Sequence, residues 1–483
     1  MAGTLQQAAE TKVLDHAVML ATTGLFGGGP GPLGRCEITP LMKVGGLTVF
    51  QRAVLTLQRA GFAKVLVLAG EQEDVLRRSI RDDPRITLAV RWMPVREFPI
   101  TDPHTWGVLS DEIKGSCLLI GPSAMFGRSL IERLRREVGA GETAVLVVHR
   151  EARAPRGETR NPIVAWHGGR LTGVAEPSDG LSPDSAARGT HAADLLVLPG
   201  PMLGMAAASV PGALPIRQLL ERLAPAGRVK VVEAQPDSGE WYHPVRGHRG
   251  AAAAERVLFR SLRGRFEGFV DTYLNRKISA WLTRAFLSLK LSPNAVTFVS
   301  IAIGLAAAVL FGVGSYAAGL IGALLFQLSA IVDCCDGEVA RLTFSESPSG
   351  EQLDLIGDNV VHMAIFAGIG WGAYRQAVGA EAGAAWLPLA LGGAAVAANI
   401  VSLWLVTRAK AIRDRNGWRT PEQAARVEFI LKNMASRDFS VALLAFAVVG
   451  LLPWFLWLTA IGANLFWIML AWVSRTSIPS PRA

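Results

Sequence analysis

The chain has 483 residues and a mass of 51.6 kDa, enough for two or three domains. Half of the residues are hydrophobic, 18% are charged and the mean hydropathy is +0.31. These values exclude a disordered chain and depart from an ordinary soluble one, in which about a quarter of residues are charged. The net charge of +9 suits an anionic membrane surface or phosphorylated substrates. No zinc-finger or RNP-type pattern accompanies it, so nucleic acid is set aside as a partner. The four cysteines, Cys36, Cys117, Cys334 and Cys335, form no CxxC pair, which points to a reducing compartment. Met1–Lys12 is polar, so no cleaved signal peptide is expected.

The first half alternates apolar runs with amphipathic segments. Strands are predicted at His16–Ala21, Lys64–Ala69, Gly115–Gly121, Thr143–His149, Ala193–Leu198 and Val229–Ala234. Helices are predicted at Val49–Gly61, Glu73–Arg81, Ser129–Val138 and Ile216–Leu223. The alternation implies an α/β layered domain with a largely parallel sheet. Gly168–Arg188, rich in Gly, Pro, Ser and Asp, reads as a loop. Residues 1–250 form this domain, and 251–293 form a linker with one interfacial helix. That helix, Phe269–Leu289, carries Ile278, Trp281, Leu282 and Phe286 at helical spacing, with Arg276, Lys277, Arg284 and Lys290 interrupting the stripe.

Apolar runs follow at Ala295–Val313, Ala317–Val332, Val360–Tyr374, Ala384–Val406 and Ser440–Val473. About 20 apolar residues make one span. Gly450 and Pro453 break the last run into two, the first of them extended N-terminally by polar residues, so six spans are predicted within 294–476. The connection after the fourth span is rich in Lys and Arg, including Arg408, Lys410, Arg413 and Arg437. Opposite-side connections carry only Arg375. By the positive-inside rule, both termini and the soluble domain face the cytoplasm, in an inner or plasma membrane.

The chemistry concentrates in Asp333-Cys-Cys-Asp336-Gly337-Glu-Val-Ala340-Arg341, followed at Gly350, Asp354 and Asp358. Asp333, Asp336, Gly337 and Ala340 share an arc of about 100° on one helix. Asp354 and Asp358 stand at i, i+4 on the next, across a turn at Ser345–Ser349. Four carboxylates from two helices can therefore converge. Desolvated together they repel, and hard divalent cations such as Mg²⁺ or Mn²⁺ relieve that and bridge phosphates. Two such ions could clamp a diphosphate. Gly337 and Ala340 leave the helix face bare for a nucleotide, and Arg341 offers a cation to phosphate. A carboxylate not consumed by metal could accept a proton from an attacking hydroxyl.

The pattern D-x2-D-G-x2-A-R-x8-G-x3-D-x3-D resembles the signature of the CDP-alcohol phosphotransferases, over roughly Leu274–Val473. The resemblance implies an all-α membrane domain of six helices and two divalent cations. It makes Asp333, Asp336 and Asp354 metal ligands, and Asp358 both ligand and general base. It makes Asp333, Gly337, Ala340, Arg341 and Gly350 the CDP pocket. Arg408, Lys410 and Arg437 are candidates for holding an acceptor's phosphate, although the positive-inside rule also accounts for them. Implied partners are a CDP-linked donor, an alcohol or polyol-phosphate acceptor, membrane lipids and a second copy of the chain in a homodimer.

The first half resembles an α/β nucleotidyltransferase-like (Rossmann-like) domain of the sugar-nucleotide class. The resemblance rests on Ala17–Ala21, the glycine-rich Gly24–Gly34 and Pro40–Gly46. Its catalytic positions depart: Thr22-Thr23-Gly24 stands in the phosphate loop, and Thr39 and Leu41 flank Pro40 where lysine is expected. Pro122-Ser123 follows the strand that should end in aspartate, and His243-Pro244 replaces a later acidic ligand. Lacking its metal carboxylates, this domain is expected to be inactive, a scaffold or a sensing pocket. The junction Glu267–Ser279 resembles that of fused inositol-1-phosphate cytidylyltransferase / di-myo-inositol-phosphate phosphate synthases. The expected activity is transfer of a phospho-alcohol from CDP-diacylglycerol or a CDP-polyol to a hydroxyl, with release of CMP. A bifunctional chain with an active cytidylyltransferase, or a membrane scaffold with a vestigial site, are the alternatives.

Overall fold

Valine- and leucine-rich runs in the first half become strands buried on both faces, as a sheet covered by helices requires. The computed structural model describes residues 14–26, 39–113, 115–138, 143–150, 161–175, 190–208, 215–235, 239–262, 276–379, 383–416 and 438–475. The chain divides into two units, Met1–Leu262 and Arg263–Ala483.

The first unit opens with β1 (His16–Leu20), β2 (Lys43–Val44), β3 (Leu47–Thr48), α1 (Val49–Arg59), β4 (Lys64–Ala69), α2 (Glu73–Arg81) and β5 (Ala89–Pro94). It continues with α3 (Pro103–Glu112), β6 (Ser116–Ile120), β7 (Ala124–Phe126), α4 (Arg128–Glu137), β8 (Ala144–Arg150), β9 (Ile163–His167) and β10 (Arg170–Ala175). It closes with β11 (Thr190–Pro199), α5 (Gly200–Ala207), α6 (Pro215–Leu223), β12 (Val229–Glu233), β13 (Tyr242–Pro244) and α7 (Gly247–Ser261). Helix α7 belongs to this unit, although the sequence places most of it in the linker.

Nine strands form one sheet in the order β5-β4-β1-β6-β11-β8-β12-β10-β9. β5, β4, β1 and β6 run parallel, as do β8 and β12. β11 runs against both β6 and β8, so the sheet is mixed rather than largely parallel. No described helix lies between β8 and β11 that would carry a right-handed parallel crossover. The predicted loop at Gly168–Arg188 is also corrected, because Arg170–Ala175 pairs with β9 as a hairpin. Gly168 and Gly169 take φ of +57° and +75°, the left-handed pair that a two-residue hairpin turn demands. Side chains alternate along β1. Ala17 and Met19 pack with Phe50 and Val67 on one face, and Val18 and Leu20 pack with Leu66 and Trp106 on the other.

Among the described residues the second unit is all helix: α8 (Arg276–Ser288), α9 (Pro293–Val313), α10 (Tyr316–Thr343), α11 (Pro348–Gly379), α12 (Leu387–Asn416), α13 (Asp438–Val449) and α14 (Leu452–Arg475). Serine caps start α9 and α10, where Ser292 and Ser315 accept from the backbone N–H three residues on. Among the described residues five helices, α9 to α12 and α14, are long and apolar enough to cross a membrane. The fifth of the six predicted spans is described only as the shorter apolar helix α13, and the stretch predicted to extend it N-terminally reaches into 417–437, outside the described residues. α13 has 12 residues, about 18 Å at 1.5 Å per residue, against a hydrocarbon core of about 30 Å. The chain breaks between α13 and α14 at Gly450–Leu451.

The predicted interfacial stripe divides in two. Leu282 and Phe286 of α8 pack against Val332 and Cys335 of α10, while Ile278, Trp281 and Leu289 are exposed. The helices pack through small residues, as membrane helices do. Gly368 and Gly372 of α11 lie directly on the α9 backbone at Ala308 and Phe311.

Candidate active site

Three helices build the site. α10 carries Asp333 and Asp336 one turn apart on its face, and α11 brings Asp354 to the same point. Carboxylate oxygens of Asp333, Asp336 and Asp354 all lie within 4.8 Å of one another. Asp333 and Asp336 are each 7% exposed, and Asp354 is half-buried. Asp358 follows one turn later on α11, half-buried, and stands outside that close group of three.

α9 supplies a support that the motif does not contain. Thr297 Oγ1 donates to Asp336 Oδ2 at 2.5 Å, and the Gly337 N–H donates to Asp336 Oδ1. Both oxygens of Asp336 are thus oriented, and Thr297 is itself buried. Arg341 folds back along α10, so that a Cβ on Gly337 would stand 3.3 Å from its Nη1. Glycine at this position leaves room for the guanidinium against the helix. Ala340 is half-buried on the same face. At the start of α11, a Cβ on Gly350 would lie 3.3 Å from Asn294 Oδ1, so the entries of α9 and α11 stand close together.

Three hard oxygen donors this close, two of them buried, fit a divalent cation. Without a counter-charge, three adjacent carboxylates in a desolvated site repel strongly.

Arg408 is exposed near the end of α12, with its guanidinium over the Trp404 ring at 5.3 Å. Lys410 falls on α12, and Arg437 lies outside the described residues.

Thr297, Asn294 and Glu338 escape a reading of the spacing. Thr297 and Asn294 sit on a separate helix, and Glu338 occupies a variable position of the motif. Glu338 is 2% exposed, and its two oxygens accept from Ser279 Oγ at 2.9 Å and Thr283 Oγ1 at 2.7 Å.

In the first unit, β6 ends at Gly121-Pro122-Ser123. Beside it, Asp194 of β11 is buried, and its Oδ2 accepts from Ser123 Oγ at 2.8 Å. Burial pushes the Asp194 carboxyl up, against the opposing pull of the Ser123 hydroxyl. The one signal of it in the sequence is an aspartate inside the apolar run Ala192–Leu198.

Fold and site together define an α/β unit joined to a membrane-helix unit that carries a carboxylate cluster. Residues 290–459 match the CDP-alcohol phosphatidyltransferase family, and the C-terminal helical region is a CDP-alcohol phosphatidyltransferase domain. Among curated proteins, the chain is 32% identical over 130 residues to a "Bifunctional IPC transferase and DIPP synthase" of Archaeoglobus fulgidus, covering 27% of this chain and 26% of that one. It is 36% identical over 115 residues to a protein of the same description from Thermococcus kodakarensis, covering 24% and 26%. The matched stretch spans about a quarter of each relative. Among solved structures, the chain is similar to the inositol-1-phosphate CTP transferase from T. maritima, with a TM-score of 0.38, 11% identity and coverage of 52% and 98%. It is likewise similar to UDP-glucose pyrophosphorylase complexed with UDP-glucose, with a TM-score of 0.40, 10% identity and coverage of 51% and 99%.

Proposed function

We propose that the helical unit transfers a phospho-alcohol group from a CDP-linked donor to an acceptor hydroxyl, releasing CMP. The convergence of Asp333, Asp336 and Asp354 from two helices carries this reading. These residues, with Asp358, would hold two divalent cations, Mg²⁺ or Mn²⁺, whose charge offsets that of the donor diphosphate and the leaving CMP. Gly337, Ala340 and Gly350 shape the CDP pocket, and Arg341 offers its guanidinium to the diphosphate. Asp358 accepts the proton of the acceptor hydroxyl. The acceptor oxygen bonds to the β-phosphorus, and the bond from that phosphorus to the bridging oxygen breaks as CMP departs. Catalysis is positioning plus charge neutralisation.

The donor is CDP-diacylglycerol or a CDP-polyol, and the acceptor an alcohol or polyol phosphate. The protein works among membrane lipids as a homodimer, with site and first unit on the cytoplasmic side. Arg408 and its basic neighbours support that orientation. Thiol labelling of single-cysteine variants in sealed vesicles checks the sidedness, and mass photometry in nanodiscs checks the dimer.

The test is CMP release by purified protein, offered CDP-diacylglycerol or CDP-inositol with a panel of polyols and polyol phosphates. Release from one pair, lost in Asp358→Asn, is the expected result. No release from any pair, together with no CDP binding, overturns the reading in favour of a scaffold. The description of the relatives as bifunctional favours a second reading, in which the first unit makes the CDP-alcohol. CTP-dependent diphosphate release by the whole chain would establish it, and the loss of acidic groups after β6 and at His243 argues for none.

A further inference from the structure

Glu338 lies two positions after Asp336, about 200° round α10 from it, on the face turned away from the carboxylate cluster. That face meets α8, the interfacial helix. Ser279 and Thr283 are i, i+4 on α8 and fully buried, and each donates its hydroxyl to one oxygen of Glu338. Cys335, one turn before, adds a contact from its Sγ to the Ser279 carbonyl at 3.6 Å. Leu282 and Phe286 close the apolar part of the same seam.

A buried carboxylate is costly, and nothing in simple helix packing needs one. An apolar residue at 338 facing alanines would serve adhesion equally well. A two-pronged acceptor does something that apolar packing does not. It fixes the rotation and the height of one helix against the other, since both hydroxyls must reach the same carboxylate. Meanwhile Trp281 of α8 and Leu289 just past its end are 67% and 68% exposed, side chains suited to anchoring at a membrane surface.

We propose that Glu338 is a positioning residue, a hydrogen-bonded bracket that sets α10 against the surface-anchored helix α8 and so holds Asp333 and Asp336 in register for the cation. This rests on the metal-dependent reading above. It acts through helix placement, not through the charge of Glu338.

The test measures Mn²⁺ binding to the full-length protein in nanodiscs by electron paramagnetic resonance, with no substrate present. Thermal unfolding is followed alongside. Ser279→Ala/Thr283→Ala keeps the Glu338 charge and removes the bracket. Glu338→Gln removes the charge and keeps a side chain that can bond both hydroxyls. Glu338→Leu removes both. The bracket requires Ser279→Ala/Thr283→Ala and Glu338→Leu to raise the Mn²⁺ dissociation constant about tenfold, with Glu338→Gln staying within about threefold of wild type. A fall in thermal midpoint without a shift in Mn²⁺ affinity would mean adhesion only, and overturns the proposal. A large shift in Glu338→Gln with none in the double variant would mean charge, and also overturns it. Absence of Mn²⁺ binding by the wild type removes the metal reading and the bracket together, an outcome distinct from failure of the bracket alone.

Discussion

Thr297 Oγ1 sits 2.5 Å from Asp336 Oδ2, so a residue of α9 orients a carboxylate of α10. The other oxygen of Asp336 takes the Gly337 N–H. Residues that orient metal ligands typically contribute ten- to a hundredfold to metal affinity. Thr297→Val keeps the shape and loses the donor, and is expected to raise the Mn²⁺ concentration for half-maximal binding at least about tenfold. Thr297→Ser keeps the hydroxyl and stays near wild type. Equal Mn²⁺ titrations for the two variants would sink the assignment.

Asp358 stands one turn beyond the close group of three carboxylates, and its substitution separates binding from proton transfer. Asp333→Asn, Asp336→Asn or Asp354→Asn should abolish Mn²⁺ binding at the site. Asp358→Asn should leave one Mn²⁺ bound per chain. It should lower CMP release by about 10²- to 10⁴-fold, the usual contribution of a general base. Mn²⁺ stoichiometry and single-turnover release on the same preparation decide the matter. Wild-type release rates in Asp358→Asn would remove Asp358 from the reaction.

Gly368 and Gly372 set the distance between α9, which bears Thr297, and α11, which bears Asp354. A Cβ at either glycine would overlap a backbone carbonyl oxygen of α9, Ala308 or Phe311, and backbone cannot rotate out of the way. Gly372→Ala should therefore cost about 1–3 kcal/mol, as overpacked sites do. Gly379→Ala, where nothing lies within 4 Å, should be neutral. Thermal unfolding in one detergent compares them directly, and an unchanged midpoint for Gly372→Ala would refute the close contact.

Much of this is legible in the sequence. Continuous apolar runs located six strands of the first unit and amphipathic periods four of its helices, because a strand buried on both faces is apolar throughout and a helix on the sheet buries one face. Aspartates at i, i+3 and i, i+4 announced a shared helix face, and the structure brings three of the four together. What stayed hidden was non-local. Thr297, 39 residues before Asp336, carries no periodic sign of its partner. Nor could Glu338 be told from a solvent-facing acid until α8 was seen to cover it. The direction of β11 was hidden as well, since one strand pattern serves parallel and antiparallel neighbours alike.

The first unit holds two buried groups whose titrations oppose each other. His149 on β8 is 6% exposed, with its ring 4.8 Å from that of Tyr242. Burial, then electrostatic interaction with His191, Arg246 and His243, push its pKa down to about 3. The unfolded chain takes up a proton near pH 6.5 and the folded one does not, so between about pH 6.5 and 3 acid favours unfolding. The His149 contribution is full above about pH 6.5 and falls by about 1.4 kcal/mol per pH unit below it. Asp194, raised by burial, has the opposite sign: its contribution is full below the unfolded pKa and lost as pH rises through the folded one. Glu137, held below the carboxylate range by Lys230, loses its contribution only in stronger acid. Urea unfolding of the soluble unit, followed in the intact protein between pH 7 and 5, separates the two buried groups. The stability of wild type relative to His149→Gln should fall with acid, and that relative to Asp194→Asn should rise. Parallel curves for wild type and His149→Gln would mean that His149 takes up its proton without unfolding.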